Sequence, residues 1–381
     1  MKARRRVVPG VGSRRSPTVR TVRPVIRSPQ APPQGPGATP AGGAGTTAGR
    51  DPATPAATDL YGARPVAMEV PIGRGLVLQT PVIAASGPFG YGVELAEVVD
   101  IPRLGGLVTR GTTLRARAGH AAPRTADVAG GLLVGIGPQN PGIDAVLERY
   151  APAWARWTTP VIVNLCGESA GDLSEMARRL DGVPGIAAIE LNLSCQNGGR
   201  NAFGLDEGAT GSVVAAVRRA TELPLIAKLT PAAADPRAIA RAAEDAGADA
   251  ISAVNTLPGL ALAADRGGPA LASGYGGICG PALKPVALRV VWEVAQAVDV
   301  PVIGIGGIAT LDDVLDFLAA GAAAVGIGVA AMADPMLAVR LGDELADACR
   351  GRGLDSVTGL TGTALPGRPS APSTRGAEYA R

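Results

Sequence analysis

The chain has 381 residues, room for one large domain or two small ones, and 46% are hydrophobic, which is ample for a core. Aromatic residues make up only 3%, so Ala, Val, Leu and Ile must fill that core. The net charge of +3 is uneven: the first 50 residues hold ten Lys/Arg and no acid, leaving −7 on the remainder, which gives the body no stripe for a nucleic-acid backbone.

Residues 1–64 are Arg, Pro, Gly, Ala, Ser and Thr with little to bury, so they are expected to form a disordered extension. Arg-rich, acid-poor N-termini can serve as transit peptides, but the many Pro and Gly here oppose the amphipathic helix that role needs. A cationic tail touching nucleic acid or anionic lipid is a further reading. Ordered-looking sequence starts near Met68, so translation beginning there would also account for the extension.

From 65 to 357, short apolar runs alternate with helical patterns. The predicted strands are Val82–Ser86, Gly106–Thr109, Val161–Leu165, Ala187–Asn192, Pro224–Leu229, Ala250–Val254, Val302–Ile305 and Ala323–Ile327. They are short, apolar and rich in Val or Ile, as parallel strands buried on both faces must be. Helices are predicted between them, among others at Asp172–Leu180, Ser212–Thr221, Pro236–Ala246, Pro285–Ala297 and Leu311–Ala319. Eight such units predict an α/β fold, a (β/α)8 barrel, with a doubly wound open sheet as the alternative. Residues 358–381 are again rich in Pro, Gly and Ser and are expected to be a flexible tail.

A barrel places its active site just past the C-terminal ends of its strands. Those positions hold Ser86-Gly87, Arg110, Asn164, Asn192, Cys195, Asn197, Lys228, Asn255 and Thr256. Nearly every polar residue embedded in the strands therefore falls on one rim. Within Asn192-Leu193-Ser194-Cys195-Gln196-Asn197, carboxamides can grip a planar imide-like ligand and a thiolate can take a proton. A buried Cys beside a polar turn explains the hexapeptide equally well when it is read alone.

The seventh and eighth strands end in Gly304-Ile305-Gly306-Gly307 and Gly326-Ile327-Gly328, where bare backbone can approach a phosphate. Gly304-x-Gly306-x-x-Ala309 matches a loose dinucleotide fingerprint but sits in the seventh unit of a series, so it reads as a monophosphate site. Lys228, inside an apolar strand, needs an anion or an electron-rich ring to offset its burial. Cys166, Cys195, Cys279, Cys349 and the lone His120 show no metal-site spacing, and thiols in core or loop-tip positions suit a reducing cytoplasm. No apolar run is long enough to span a membrane.

From about Met68 to Gly353 the chain resembles the dihydroorotate dehydrogenases, FMN-dependent barrels of pyrimidine biosynthesis. The resemblance is carried by Ser86-Gly87-Pro88-Phe89-Gly90-Tyr91-Gly92, Gly137-Pro138-Gln139-Asn140-Pro141-Gly142, Asn192–Asn197, Ala227-Lys228-Leu229, Val254-Asn255-Thr256-Leu257, Gly276-Gly277, Gly280-Pro281-Ala282-Leu283-Lys284-Pro285 and Gly304–Ile308. In that family the base is Cys in the soluble class and Ser in the membrane-attached class, so Cys195 resembles the soluble class. The segments around Asn255 and Lys284-Pro285 look most like the branch whose electrons pass to NAD through a second subunit.

The resemblance implies that Cys195 removes a proton from C5 of the dihydropyrimidine while a hydride leaves C6 for N5 of FMN. It further implies that Asn192, Asn197, Asn255, Thr256, Arg110, Gln139 and Asn140 contact substrate. Ser86, Gly87, Asn164, Lys228, Gly277, Gly306, Gly307, Gly328 and Val329 would hold FMN. A homodimer and a partner protein carrying FAD and an iron–sulfur cluster are implied as well.

Three positions depart from the family pattern: Arg110 stands for Lys, Val134 for a substrate-binding Asn, and Gln196 for the Pro after the catalytic Cys. Losing a designed polar contact can change which substrate fits. A relative acting on another dihydropyrimidine or cyclic amide is therefore kept as an alternative. So are a tRNA-dihydrouridine synthase, which should carry a basic RNA-binding appendage, and a non-catalytic flavin-binding sensor or scaffold.

Overall fold

The computed structural model describes residues 65–194 and 202–367. A small hairpin, β1 (Val70–Pro71) and β2 (Val77–Leu78), precedes the first barrel strands, β3 (Val82–Ala84) and β4 (Leu107–Val108). A second hairpin, β5 (Thr125–Val128) and β6 (Gly131–Val134), leads to helices α1 (Ile143–Arg149) and α2 (Ala151–Trp154). Strand and helix then alternate: β7 (Val161–Leu165), α3 (Ala170–Leu180), β8 (Ile186–Asn192), α4 (Glu207–Arg218), β9 (Leu225–Lys228), α5 (Pro236–Asp245) and β10 (Ala250–Ala253). After β11 (Leu257–Gly259) and β12 (Gly276–Cys279), the chain completes α6 (Lys284–Val294), β13 (Val302–Ile305), α7 (Leu311–Ala319), β14 (Ala324–Ile327) and α8 (Leu337–Gly351).

Strands β3, β4, β7, β8, β9, β10, β13 and β14 close into a parallel barrel in that order, with Val325 paired to Val82 where the ring shuts. Each strand lies beside its chain neighbour, which separates this barrel from the open doubly wound sheet. All eight predicted strands are present, within a few residues at their ends. Their Val, Ile and Leu side chains are buried, each contributing about 1.5–3 kcal/mol relative to exposure.

The helices start where their caps dictate. Ser169 accepts from Asp172 N ahead of α3, and Asp206 accepts from Ala209 N ahead of α4. The second cap starts α4 at Glu207, five residues before the predicted Ser212, because it overrides the helix-weakening Gly208 and Gly211. Thr310 and Asp313 form a reciprocal capping box ahead of α7.

The chain expected to fray from 358 stays packed to the end of the described residues. Gly362 N and Ala364 N donate to the Leu318 and Ala319 carbonyls at the end of α7, 2.8 and 2.9 Å away. Residues 1–64 and 368–381 lie outside the described residues, and no described helix is long and apolar enough to cross a membrane.

Lys284 ties α6 to α7 through Asp313 and Asp316, at 2.5 and 2.7 Å. Burial alone would raise the Asp313 carboxyl, but Lys284, Thr310 and the Ala309 and Thr310 N–H groups together hold it below its ordinary value. A depressed folded-state carboxyl contributes stability that is complete above the unfolded value of about 4 and is lost as pH falls through the lower folded value. Asp313→Asn should therefore lower the urea midpoint at about pH 7, and by less near about pH 3, as the stability from the Asp313 carboxylate is progressively lost. Equal deficits at both pH values would remove this ion pair as the cause.

Candidate active site at the barrel mouth

Two excursions from the barrel meet above its C-terminal mouth. The β5–β6 hairpin lies between β4 and β7, and β11–β12 lies between β10 and β13, yet together they form one antiparallel sheet ordered β11-β12-β6-β5. Val134 pairs with Gly277, which joins the two excursions. A cavity of about 1980 Å³ opens between this sheet and the barrel mouth. Typical small-molecule sites hold roughly 300–1,000 Å³, so this one has room for a nucleotide-sized cofactor and a substrate together.

The predicted rim converges on the cavity. Ser86, Gly87, Arg110, Asn164, Asn192, Lys228, Asn255, Thr256, Gly306, Gly307, Gly328 and Val329 all line it. Gly306 and Gly307 sit at φ of +136° and +74°, the left-handed region that favours glycine. A Cβ on Gly307 would lie 2.8 Å from Lys284 N, whereas a Cβ on Gly328 would meet nothing within 4 Å. The first turn is therefore drawn tight against α6, and the second leaves open space where an anion can approach backbone.

Three predicted site residues face elsewhere. Asn140 is buried and spends its amide on the protein: Oδ1 accepts from Thr113 N and Gly142 N, and Nδ2 donates to Thr113 Oγ1 and the Pro138 carbonyl. It shapes the 137–142 turn. Gln139 is exposed, its carbonyl taken by Arg110 Nε at 2.8 Å and its Oε1 by Arg124. Gly277 lies beneath Thr256, whose Oγ1 would be 2.0 Å from any Cβ there. Cys195, Gln196 and Asn197 lie outside the described residues.

Sequence reasoning missed Glu190. It is buried inside the barrel, where Oε2 accepts from Lys228 Nζ at 3.2 Å and from Asn164 Nδ2 at 2.5 Å, and Oε1 from Ser252 Oγ at 2.8 Å. The anion that Lys228 required is thus supplied partly by the protein itself. The signal was present: an acid inside the apolar run Ile186–Leu191, two residues before the rim Asn192. Beyond Asn164 the polar chain continues through Cys166 to Asn192, whose Oδ1 accepts from Asn255 Nδ2 at 3.0 Å. Among the described residues, Ser194 Oγ is buried on the same wall with no hydrogen-bond partner, so a polar ligand there would satisfy it.

A closed (β/α)8 barrel with amides, a buried lysine and glycine turns gathered at one mouth belongs to the cofactor-binding barrel enzymes. Residues 72–348 match the dihydroorotate dehydrogenase family model, and the chain belongs to that family of flavin-dependent oxidoreductases acting on CH–CH groups. It is 46% identical over 298 residues to the protein named dihydroorotate dehydrogenase B (NAD(+)), catalytic subunit, of Trichlorobacter lovleyi, covering 78% of this chain and 98% of that one. The Geobacter sulfurreducens protein of the same name is 46% identical over 290 residues, covering 76% and 95%. That of Porphyromonas gingivalis is 45% identical over 300 residues, covering 78% and 98%.

Proposed function

We propose that this chain oxidises (S)-dihydroorotate to orotate in pyrimidine biosynthesis, with FMN as its flavin. The observation that supports this reading best is the convergence of Asn164, Asn192, Lys228 and Asn255 on one cavity bounded by the Gly306-Gly307 and Gly328 turns. When bound, FMN supplies the acceptor for the hydride that leaves C6. The Gly306, Gly307, Gly328 and Val329 turns would take its phosphate, and Ser86, Gly87, Asn164 and Lys228 its ring. Lys228 is buried on the cavity wall, where its ammonium would favour an electron-rich ring. Asn192 and Asn255, with Asn197, orient the substrate, and Cys195 takes the C5 proton. The roles first assigned to Asn140, Gln139 and Gly277 become support of the walls, since none of their side chains or Cα positions lines the cavity.

The relatives' printed name specifies NAD(+) and a catalytic subunit, so electrons are proposed to leave through a second subunit carrying FAD and an iron–sulfur cluster. The barrel is proposed to be a cytoplasmic homodimer. The tRNA-dihydrouridine synthase reading is set aside by the family match across 72–348. A second substrate reading, another dihydropyrimidine or cyclic amide, is favoured by Val134, whose apolar side chain lines the cavity.

Anaerobic titration of the purified protein with dihydroorotate, following the oxidised flavin band, decides between these. Prompt bleaching is expected. Bound flavin that bleaches only with uncharged dihydropyrimidines supports the second reading, and protein that takes up no flavin overturns both.

A further inference from the structure

We propose that the Cys166 thiol is a positioning residue that locks the amides of Asn164 and Asn192 so that the substrate end of the site presents hydrogen-bond donors. The inference rests on the flavin and dihydroorotate reading above, in which Asn164 serves the flavin and Asn192 the substrate. Cys166 is almost fully buried at the end of β7 and lines the cavity.

The directions of the bonds follow from the partners. Asn164 donates its Nδ2 to the Glu190 carboxylate, which leaves Oδ1 as the atom facing Cys166 Sγ at 3.6 Å. Asn192 Oδ1 accepts from the backbone N–H of Ser194 at 3.1 Å and from Asn255 Nδ2 at 3.0 Å, so its Nδ2 is the atom 3.4 Å from the same sulfur. A thiol has one proton to give and lone pairs to accept with. Only one arrangement serves both neighbours: S–H donates to Asn164 and sulfur accepts from Asn192. Asn255 is pinned likewise, its Oδ1 accepting from Thr256 N at 2.8 Å.

The consequence is chemical. Asn192 Oδ1 is filled by two donors and Asn255 Oδ1 already accepts one, while among the described residues Asn192 and Asn255 each keep a second amide N–H for a ligand. The site therefore selects ligands that present carbonyl or carboxylate oxygens on that edge. Gly111 keeps the space for this link, since a Cβ there would lie 2.7 Å from Cys166 Sγ and 3.2 Å from Asn164 Oδ1.

The test compares the full-length holoenzyme with Cys166→Ala and Cys166→Ser. Serine keeps one donor and its acceptors; alanine keeps neither. Cys166→Ala is expected to weaken orotate binding, read from the flavin absorbance change, and to raise KM for dihydroorotate, each by about tenfold. FMN content and melting temperature should stay at wild-type values, and Cys166→Ser should remain within about twofold of wild type. Alanine binding as tightly as wild type, or serine as impaired as alanine, overturns the proposal. A separate measurement needs no substrate: the infrared difference between wild type and Cys166→Ala isolates this S–H stretch. A band shifted down, as for a donating thiol, is expected, and one at the free-thiol position overturns the link. A wild-type flavin that ignores orotate sinks the substrate reading instead and leaves the infrared result to decide the link.

Discussion

Lys228→Ala should cost this protein both stability and its cofactor. The Lys228–Glu190 pair spans 3.2 Å with side chains only 5% and 2% exposed. Removing one partner of such a pair strands the other charge in the barrel, at a cost of about 3–5 kcal/mol. Asn164 and Ser252 still donate to Glu190, so the loss should sit at the lower end of that range. Replacing both partners, as Lys228→Met with Glu190→Leu, should recover much of the stability, because a well-packed apolar pair often equals a buried ion pair. It should not recover flavin binding, for which Lys228 is proposed to supply the cation. Urea unfolding of flavin-free protein separates these effects, because a bound cofactor would itself stabilise the native state. A flavin-free Lys228→Ala protein as stable as wild type would show that Glu190 does not depend on the lysine.

Cys195→Ala should separate binding from chemistry. With the base removed, turnover of dihydroorotate is expected to fall by about 10²–10⁴-fold, the usual contribution of a positioned general base. The protein should stay yellow, because the residues proposed to hold the flavin come from other strands and turns. Cys195→Ser should retain part of the activity, with its pH–rate profile shifted upward, because a serine hydroxyl gives up its proton far less readily than a thiol. Steady-state turnover beside the flavin absorbance reads both effects. Unchanged turnover in Cys195→Ala would move the base to another group. Cys279 is a poor substitute: burial pushes its thiol above the ordinary value, although it lines the same cavity.

Much of the site was legible in the chain because a parallel barrel strand has little choice. Both faces are buried, so a polar residue inside an apolar run must either face a partner or face the mouth. Asn164, Asn192, Lys228 and Asn255 stood out for that reason, and all four line the cavity. Glu190 obeys the same rule but faces inward to a partner, and the strand pattern alone does not distinguish the two cases. Asn140 sits in a turn whose hydrogen bonds consume its amide, and the neighbouring Gln139 is exposed with its Oε1 held by Arg124; sequence does not reveal which donors a turn will satisfy internally.

The sequence by itself determined the eight strands, the glycine turns and the family to which the chain belongs, while the choice between a closed barrel and an open doubly wound sheet fell to the structure. The former are local matters, set by apolar runs, caps and residues that permit one backbone conformation. Only the tertiary structure decided what lies across from what. The β5–β6 and β11–β12 excursions, more than a hundred residues apart, pair through Val134 and Gly277 to roof the cavity. Glu190 meets Lys228, and Cys166 joins Asn164 to Asn192, for the same reason. The ring closes through long-range pairing, and side chains from neighbouring strands share its interior only once it has closed.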